Sequence, residues 1–312
     1  MKLVGDIGGT KALLALVDRA GNIGARRRLA SADFASFGDL LGAYLEQIDT
    51  AIDGGCLAVA GPVAEDGRSA QITNLPWSID CAALEARFGL GQLALINDFA
   101  GVALGVAAVA PEQLISLQAG EHSPAGVKLV IGAGTGLGMA ILSGKDILPS
   151  EGGHVGFAPQ DEVQARIAAA LLREHGRVTA ERVISGPGLA AIHRVLTGEN
   201  LDAALIAARA RAGDAAARAS LGQFFTAYGA FAGDMALAVL ARGGVYLAGG
   251  VTQALLPALR EDGRFLAAFN AKAEHADLAR AIPVHAIADP DIGLLGALAQ
   301  ATAALTKVNN PS

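Results

Sequence analysis

Short, largely apolar runs recur along the chain at residues 3–7, 12–17, 56–59, 93–96 and 245–248, most of them ending on glycine or asparagine. Runs of this length bounded by turn residues predict buried β-strands. Between them the period changes. Leu40, Leu41, Tyr44, Leu45, Ile48 and Ile52 repeat at helical spacing after Ser36-Phe-Gly-Asp39, a variant capping box, and the pattern stops at Gly54-Gly55. Helices are likewise predicted over residues 79–88, 99–109, 161–175 and 201–211, from about Thr179, from about Gly188, and over 292–306.

Residues 220–240 are almost wholly apolar, lie between Arg218 and Arg242, and have the ~20-residue length of a membrane span. Asp234 within the stretch would cost about 2.5–3.5 kcal/mol in a bilayer, so the segment reads as a buried central helix with small residues where a neighbour packs close.

Strands alternating with helices predict an α/β protein, and 312 residues suffice for about two domains. The last helix has no sheet of its own and is expected to return to the first domain. The expected division is a smaller domain of residues 1–110 plus 291–312 and a larger one of residues 111–290, with Pro111 and Pro290 near the crossings. A strand, glycine turn, strand pattern opens each half: Asp6-Ile-Gly-Gly-Thr10, then Gly132-Ala-Gly-Thr-Gly-Leu-Gly138.

Composition narrows the classes. A net charge of −6 with no basic cluster beyond Arg26-Arg27-Arg28 argues against a nucleic-acid partner or an anionic membrane surface; the triplet reads as a solvated strand end. Two cysteines, Cys56 and Cys81, are too few for a disulfide framework or a zinc site, which fits a reducing compartment. No basic lead followed by an apolar stretch precedes the first strand, and the cytoplasm is the expected location.

Neither glycine turn follows G-x-G-x-x-G, and no G-x-x-x-x-G-K-[ST] occurs, which removes the Rossmann and Walker readings. A turn of this kind can present N–H groups to a phosphate, and Asp6 beside the first copy suits a hydrated Mg²⁺. Thr10 and Thr135 add hydroxyls. Asn97-Asp98, at the end of a buried strand, is either a helix cap or a pair able to bind a hydroxyl and take its proton. Glu151-Gly-Gly-His154 has two metal-ligand types but no third ligand and no rigid frame, so hydrogen bonding to a polyol is the expected role. Glu181 alone reads as a favourable charge in the first turn of a helix.

Together with Ile96-Asn-Asp-Phe99, Glu151-Gly-Gly-His-Val155, Glu181-Arg-Val-Ile-Ser-Gly-Pro-Gly188 and Gly293-Leu-Leu-Gly296, the two glycine turns resemble the bacterial glucokinase family, in order and over nearly the whole chain. The resemblance implies a two-domain actin-like ATPase (ribonuclease H-like) fold with a cleft between domains, phosphorylation of glucose by ATP, Mg²⁺, and a homodimer. It makes Asp98 the catalytic base and puts Asn97, Asp98, Glu151, His154 and Glu181 on the sugar. Asp6, Gly8, Gly9, Thr10, Lys11, Gly132, Gly134, Thr135 and Gly136 would face phosphates, Asp6 also the metal, and Gly249-Gly250 the adenosine. The first loop departs from the family's pattern at Lys11 and Leu13, where Asn and Arg are common; Lys11 would then be the substitute phosphate contact. The related repressor and sugar-kinase family carries a cysteine-rich zinc motif that is missing here. Kinases for other hexoses, and a sugar- or nucleotide-sensing regulator on the same fold, are the alternative functions.

Overall fold

The first two apolar runs form a hairpin, β1 (Lys2–Ile7) and β2 (Lys11–Val17), joined at Gly8-Gly9-Thr10. This computed structural model describes residues 1–308 except His122, Lys145 and Pro290, so the expected crossing at Pro290 lies outside the described residues. Contacts gather the chain into two compact units, Met1–Ala110 with Asp291–Ser312, and Pro111–Pro290.

In the first unit β3 (Ile23–Ala30) completes an antiparallel meander, and α1 (Phe37–Leu45) follows. Next come β4 (Gly55–Val59), the small pair β5 (Ser69–Gln71) and β6 (Ser78–Asp80), α2 (Cys81–Phe88), β7 (Leu93–Asn97) and α3 (Asp98–Ala108). The sheet order is β3-β2-β1-β4-β7, with β4 parallel to β1 and β7 parallel to β4. Leu3, Ile7, Leu14 and Leu57 on one face bury against Phe37, Leu40, Leu41 and Tyr44 of α1. Val4, Leu13, Ala15 and Ala58 on the other face pack on Leu294 and Ala297 of the C-terminal helix Ile292–Val308.

That helix crosses α3 with backbones in contact: a Cβ on Gly296 would lie 1.7 Å from the Gly101 carbonyl oxygen. No rotamer relieves a backbone clash. Gly296→Ala should therefore cost at least the 1–3 kcal/mol typical of overpacking, visible as a lowered denaturation midpoint; an unchanged midpoint would mean that the helices part freely.

Three local expectations fail here. The helix predicted through Ile52 ends at Leu45, and the Asp53 N–H bonds the Met1 carbonyl at 2.9 Å, drawing the following segment to the edge of the sheet. The helix expected from residue 79 starts at Cys81, because Ser78–Asp80 pairs with β5 and Asp80 caps the Ala83 N–H at 2.9 Å. Arg26-Arg27-Arg28 is the body of β3 and not its end; Arg26 and Arg28 are exposed as expected, but both ion-pair with Asp291, Arg28 at 2.7 Å.

The second unit runs β8 (Leu114–Gln118), β9 (Lys128–Ala133), β10 (Leu137–Ser143), β11 (Asp146–Ser150), α4 (Glu162–His175), α5 (Gly186–Thr197), α6 (Ala203–Arg211) and α7 (Ala215–Ala238). It closes with β12 (Gly244–Ala248), α8 (Gly250–Asp262), α9 (Arg264–Asn270), α10 (Ala276–Ala281) and β13 (Val284–Ile287). The order β11-β10-β9-β12-β13-β8 repeats the first sheet, an antiparallel meander followed by two parallel strands, with β8 added at the edge. The apolar segment expected as a central helix is α7, whose Phe224, Phe225 and Tyr228 are buried against the aromatic ring of Phe265 and its neighbours. Among the described residues no helix is long and apolar enough to cross a membrane.

Candidate active site

The first unit carries a carboxylate pair. Asp6 lies on β1, at one register with Leu13 on β2 and Ala58 on β4, so its side chain shares their face of the sheet. There it meets the first turn of the C-terminal helix, where a Cβ on Gly293 would lie 2.8 Å from the Asp6 Oδ2. Burial raises the Asp6 carboxyl above its ordinary value, opposed by the positive charges of Lys11 and Arg28. Asp98 opens α3 at the carboxyl end of β7, the edge where sheets of this kind place ligands. Its Oδ1 accepts from the Phe99 N–H at 2.9 Å. Burial first, and then the negative charge of Asp6, push its carboxyl up to about 6.

Asn97 is the N-cap of α3: its Oδ1 accepts from Phe99 N at 2.9 Å and Ala100 N at 3.3 Å, while its Nδ2 donates to the Gly61 carbonyl at 3.3 Å. The cap reading of Asn97 is thus met, and capping does not prevent the pair from also binding a hydroxyl.

The raised Asp98 carboxyl has a measurable consequence. It holds its proton more tightly folded than unfolded, so stability falls as pH rises from the ordinary 3.8 to about 6, and the loss is complete above that. By linkage the loss is roughly 2–3 kcal/mol. Asp98→Asn should raise the melting temperature at pH 7.5 and give no gain below pH 4; equal shifts at both values would show that ionisation of Asp98 does not oppose folding.

The turn between β1 and β2 faces the same edge. Gly8 N–H bonds the Lys11 carbonyl at 2.9 Å, whereas among the described residues Gly9 and Thr10 donate no backbone hydrogen bond; Thr10 and Lys11 are exposed. N–H groups of this kind, with the Lys11 ammonium, are able to receive an anion. Asp6 suits Mg²⁺, which is held by one or two carboxylates, water and substrate phosphates rather than by a protein cage.

The second unit gathers the other predicted residues. Gly134 N–H bonds the Gly136 carbonyl at 2.8 Å, closing the turn between β9 and β10, and Thr135 projects from its tip. Gly132 is buried within β9, paired with Gly138 and Ala248, so it spaces the turn instead of lining it. Gly249, at φ +92°, lets β12 turn directly into α8, and a Cβ there would lie 2.4 Å from the Ala133 carbonyl oxygen. The amino terminus of α8 at Gly250 consequently stands beside Gly134, with the positive end of its dipole at the turn.

Glu181 departs from expectation. Thr179 bridges to Gly156 and residues 180–184 form bends and turns, not a helix, because Ala180 N–H bonds the Val155 carbonyl and Glu181 N–H the Gly153 carbonyl, both at 2.9 Å. Its carboxylate Oε2 accepts from the Leu137 N–H at 2.9 Å, and a Cβ on Gly136 would lie 2.5 Å from that oxygen. Glu181 therefore ties the glycine turn to the Glu151–His154 loop, and among the described residues its second oxygen accepts no hydrogen bond. Glu151 and His154 are exposed, 3.8 Å apart from Oε2 to Nε2. Thr135, His154, Thr179 and Glu181 line one end of a cavity of about 700 Å³ that continues along α5 to Arg194. Among the described residues no set of three or more His, Cys, Asp or Glu side chains is placed to hold a metal ion.

Two contributors have no local signature in the sequence. Ser31, fully buried behind the first turn, and the Leu137 N–H, which fixes Glu181, act through partners 23 and 44 residues away.

A glucokinase family model matches residues 3–304. A glucokinase from Salmonella arizonae is 38% identical, the match covering 94% of each chain. The crystal structure of a glucokinase from an Antarctic psychrotroph superposes with a TM-score of 0.84 at 33% identity, over 96% of this chain and 98% of that one. A ROK family glucokinase from Streptomyces griseus, solved with glucose and AMPPNP, shares the fold at a TM-score of 0.68 and 21% identity, over 97% of this chain and 99% of that one.

Proposed function

The chain belongs to the glucokinase family, with the actin-like fold of those kinases, and from that premise we propose that it transfers the γ-phosphoryl group of ATP to the 6-hydroxyl of glucose. The family match over residues 3–304 carries this reading, since it takes in both glycine turns, Asp98 and Glu181. Phosphoryl transfer asks a protein for positioning, charge neutralisation and a proton acceptor. Asp98 is assigned the last: with a carboxyl value of about 6 it is ionised at neutral pH and more basic than an ordinary aspartate. Asn97, Glu151, His154 and the free oxygen of Glu181 are assigned to the sugar hydroxyls. The turn at Gly8, Gly9 and Thr10, with Lys11, is assigned to phosphate; Thr135 and the Gly134–Gly136 turn bind phosphate from the second unit, and Gly249-Gly250 the adenosine side. Mg²⁺ bound with ATP supplies further charge neutralisation, and Asp6 is the residue that would hold it. The two compact units act as the two domains of the kinase. A cytoplasmic homodimer at the entry to glycolysis is the setting we propose.

A coupled assay over glucose, mannose, fructose and glucosamine, with ATP or polyphosphate as donor, tests the reading. Glucose with ATP should give the highest kcat/KM. A preference for another hexose would reassign the substrate, and sugar binding without turnover would favour a sensor. Light scattering on the eluting protein should give twice the chain mass.

A further inference from the structure

We propose that Ser31 is a positioning residue that sets the first phosphate turn from behind, an inference that rests on the kinase reading. Ser31 follows β3, opens a short 3₁₀ turn (Ser31–Asp33) and has no exposed surface, unusual for a serine with no substrate to touch. Both of its hydrogen-bond donors go to the turn. The hydroxyl donates to the Gly8 carbonyl at 3.0 Å, and the N–H donates to the Thr10 carbonyl at 3.0 Å.

The direction of these bonds matters. Every peptide bond among the described residues is trans, so each carbonyl points opposite to the N–H of the next residue. Drawing the Gly8 and Thr10 carbonyls toward Ser31 turns the Gly9 and Lys11 N–H groups the other way, out of the turn. The same two bonds keep carbonyl oxygens, which would repel a phosphate, off the binding side. Gly9 is confined on another side by Thr73, whose carbonyl oxygen lies 3.1 Å from where a Cβ would stand. Glycines alone would leave this turn free to flip its peptides; Ser31 removes that freedom without touching the nucleotide.

The test compares the wild type with Ser31→Ala and Ser31→Thr. Losing one buried hydrogen bond to the turn should raise KM for ATP about tenfold, while glucose affinity by calorimetry stays within twofold, and Ser31→Thr should recover most of the loss. Hydrogen exchange supplies a readout besides turnover. In the wild type, Mg-ADP should slow exchange in the peptide covering residues 8–12, and in Ser31→Ala that peptide should exchange faster before nucleotide is added. The proposal is overturned if KM for ATP is unchanged, if ATP and glucose parameters fall together with the melting temperature, or if Mg-ADP leaves that wild-type peptide unprotected. Should Ser31→Ala fail to fold, Ser31→Thr and the wild-type exchange experiment still decide. A wild type that binds Mg-ADP but does not phosphorylate glucose would sink the kinase reading instead.

Discussion

Asp98→Asn should lose about 10² to 10⁴ in turnover while keeping its fold and most of its glucose affinity. Asparagine matches aspartate in shape and still accepts the Phe99 N–H, now made at 2.9 Å, so α3 starts as before. What disappears is the ability to take the 6-hydroxyl proton, worth roughly 3–5 kcal/mol of barrier at that rate loss. The native enzyme should also show an acid limb in kcat/KM with a midpoint near 6, the value to which burial and Asp6 push Asp98, and the variant should lack it. Single-turnover phosphorylation beside calorimetric glucose binding separates the outcomes. Near-normal turnover removes Asp98 from the chemistry, and a loss confined to binding makes it a sugar ligand only.

Glu181→Ala should weaken glucose binding by about 10- to 100-fold, in line with about 1.5–3 kcal/mol for a hydrogen bond to a charged group. It should also loosen the protein, because the Leu137 N–H now bonded to Oε2 at 2.9 Å loses its partner. Glu181→Gln separates the two roles. Its amide oxygen can still accept from Leu137, so stability should return while glucose affinity, which wants the charge, recovers only in part. If Glu181→Gln and wild type bind glucose equally, the residue is a structural tie between the turn and the Glu151–His154 loop, and the sugar rests on other groups.

The motifs and much of the secondary structure were legible in the sequence. A buried strand of five to seven residues must be apolar, and a tight turn between such strands must be small; β2, β4, β7 and β12 and both glycine turns announce themselves for that reason. Caps are equally local. Ser36 and Asp161 accept from N–H groups three residues on, a contact that needs no other part of the chain. The repeated glycine hairpin corresponds to the antiparallel pairs β1–β2 and β9–β10, whereas the plan of strands shared by the two sheets appears only in the structure.

Tertiary structure decided what depends on partners far along the chain. The edge strands β8 and β11, and β13 beside β8, carry weak or mixed patterns and become strands only because a neighbouring strand offers its N–H and carbonyl groups. Residues after Thr179 have helical composition, yet backbone bonds to Gly153 and Val155 claim them. Arg26 and Arg28 look like solvated charge until Asp291, more than 260 residues later, is placed beside them. Glu181 reads as helix-end charge in one dimension and as the tie between the Gly134–Gly136 turn and the Glu151–His154 loop in three. Hydropathy records whether a residue is buried, which a short window of sequence can carry; it does not record which distant group a buried polar atom will meet, and the Asp98 carboxyl near 6, the Ser31 bonds and the Glu181 tie are all set by such meetings.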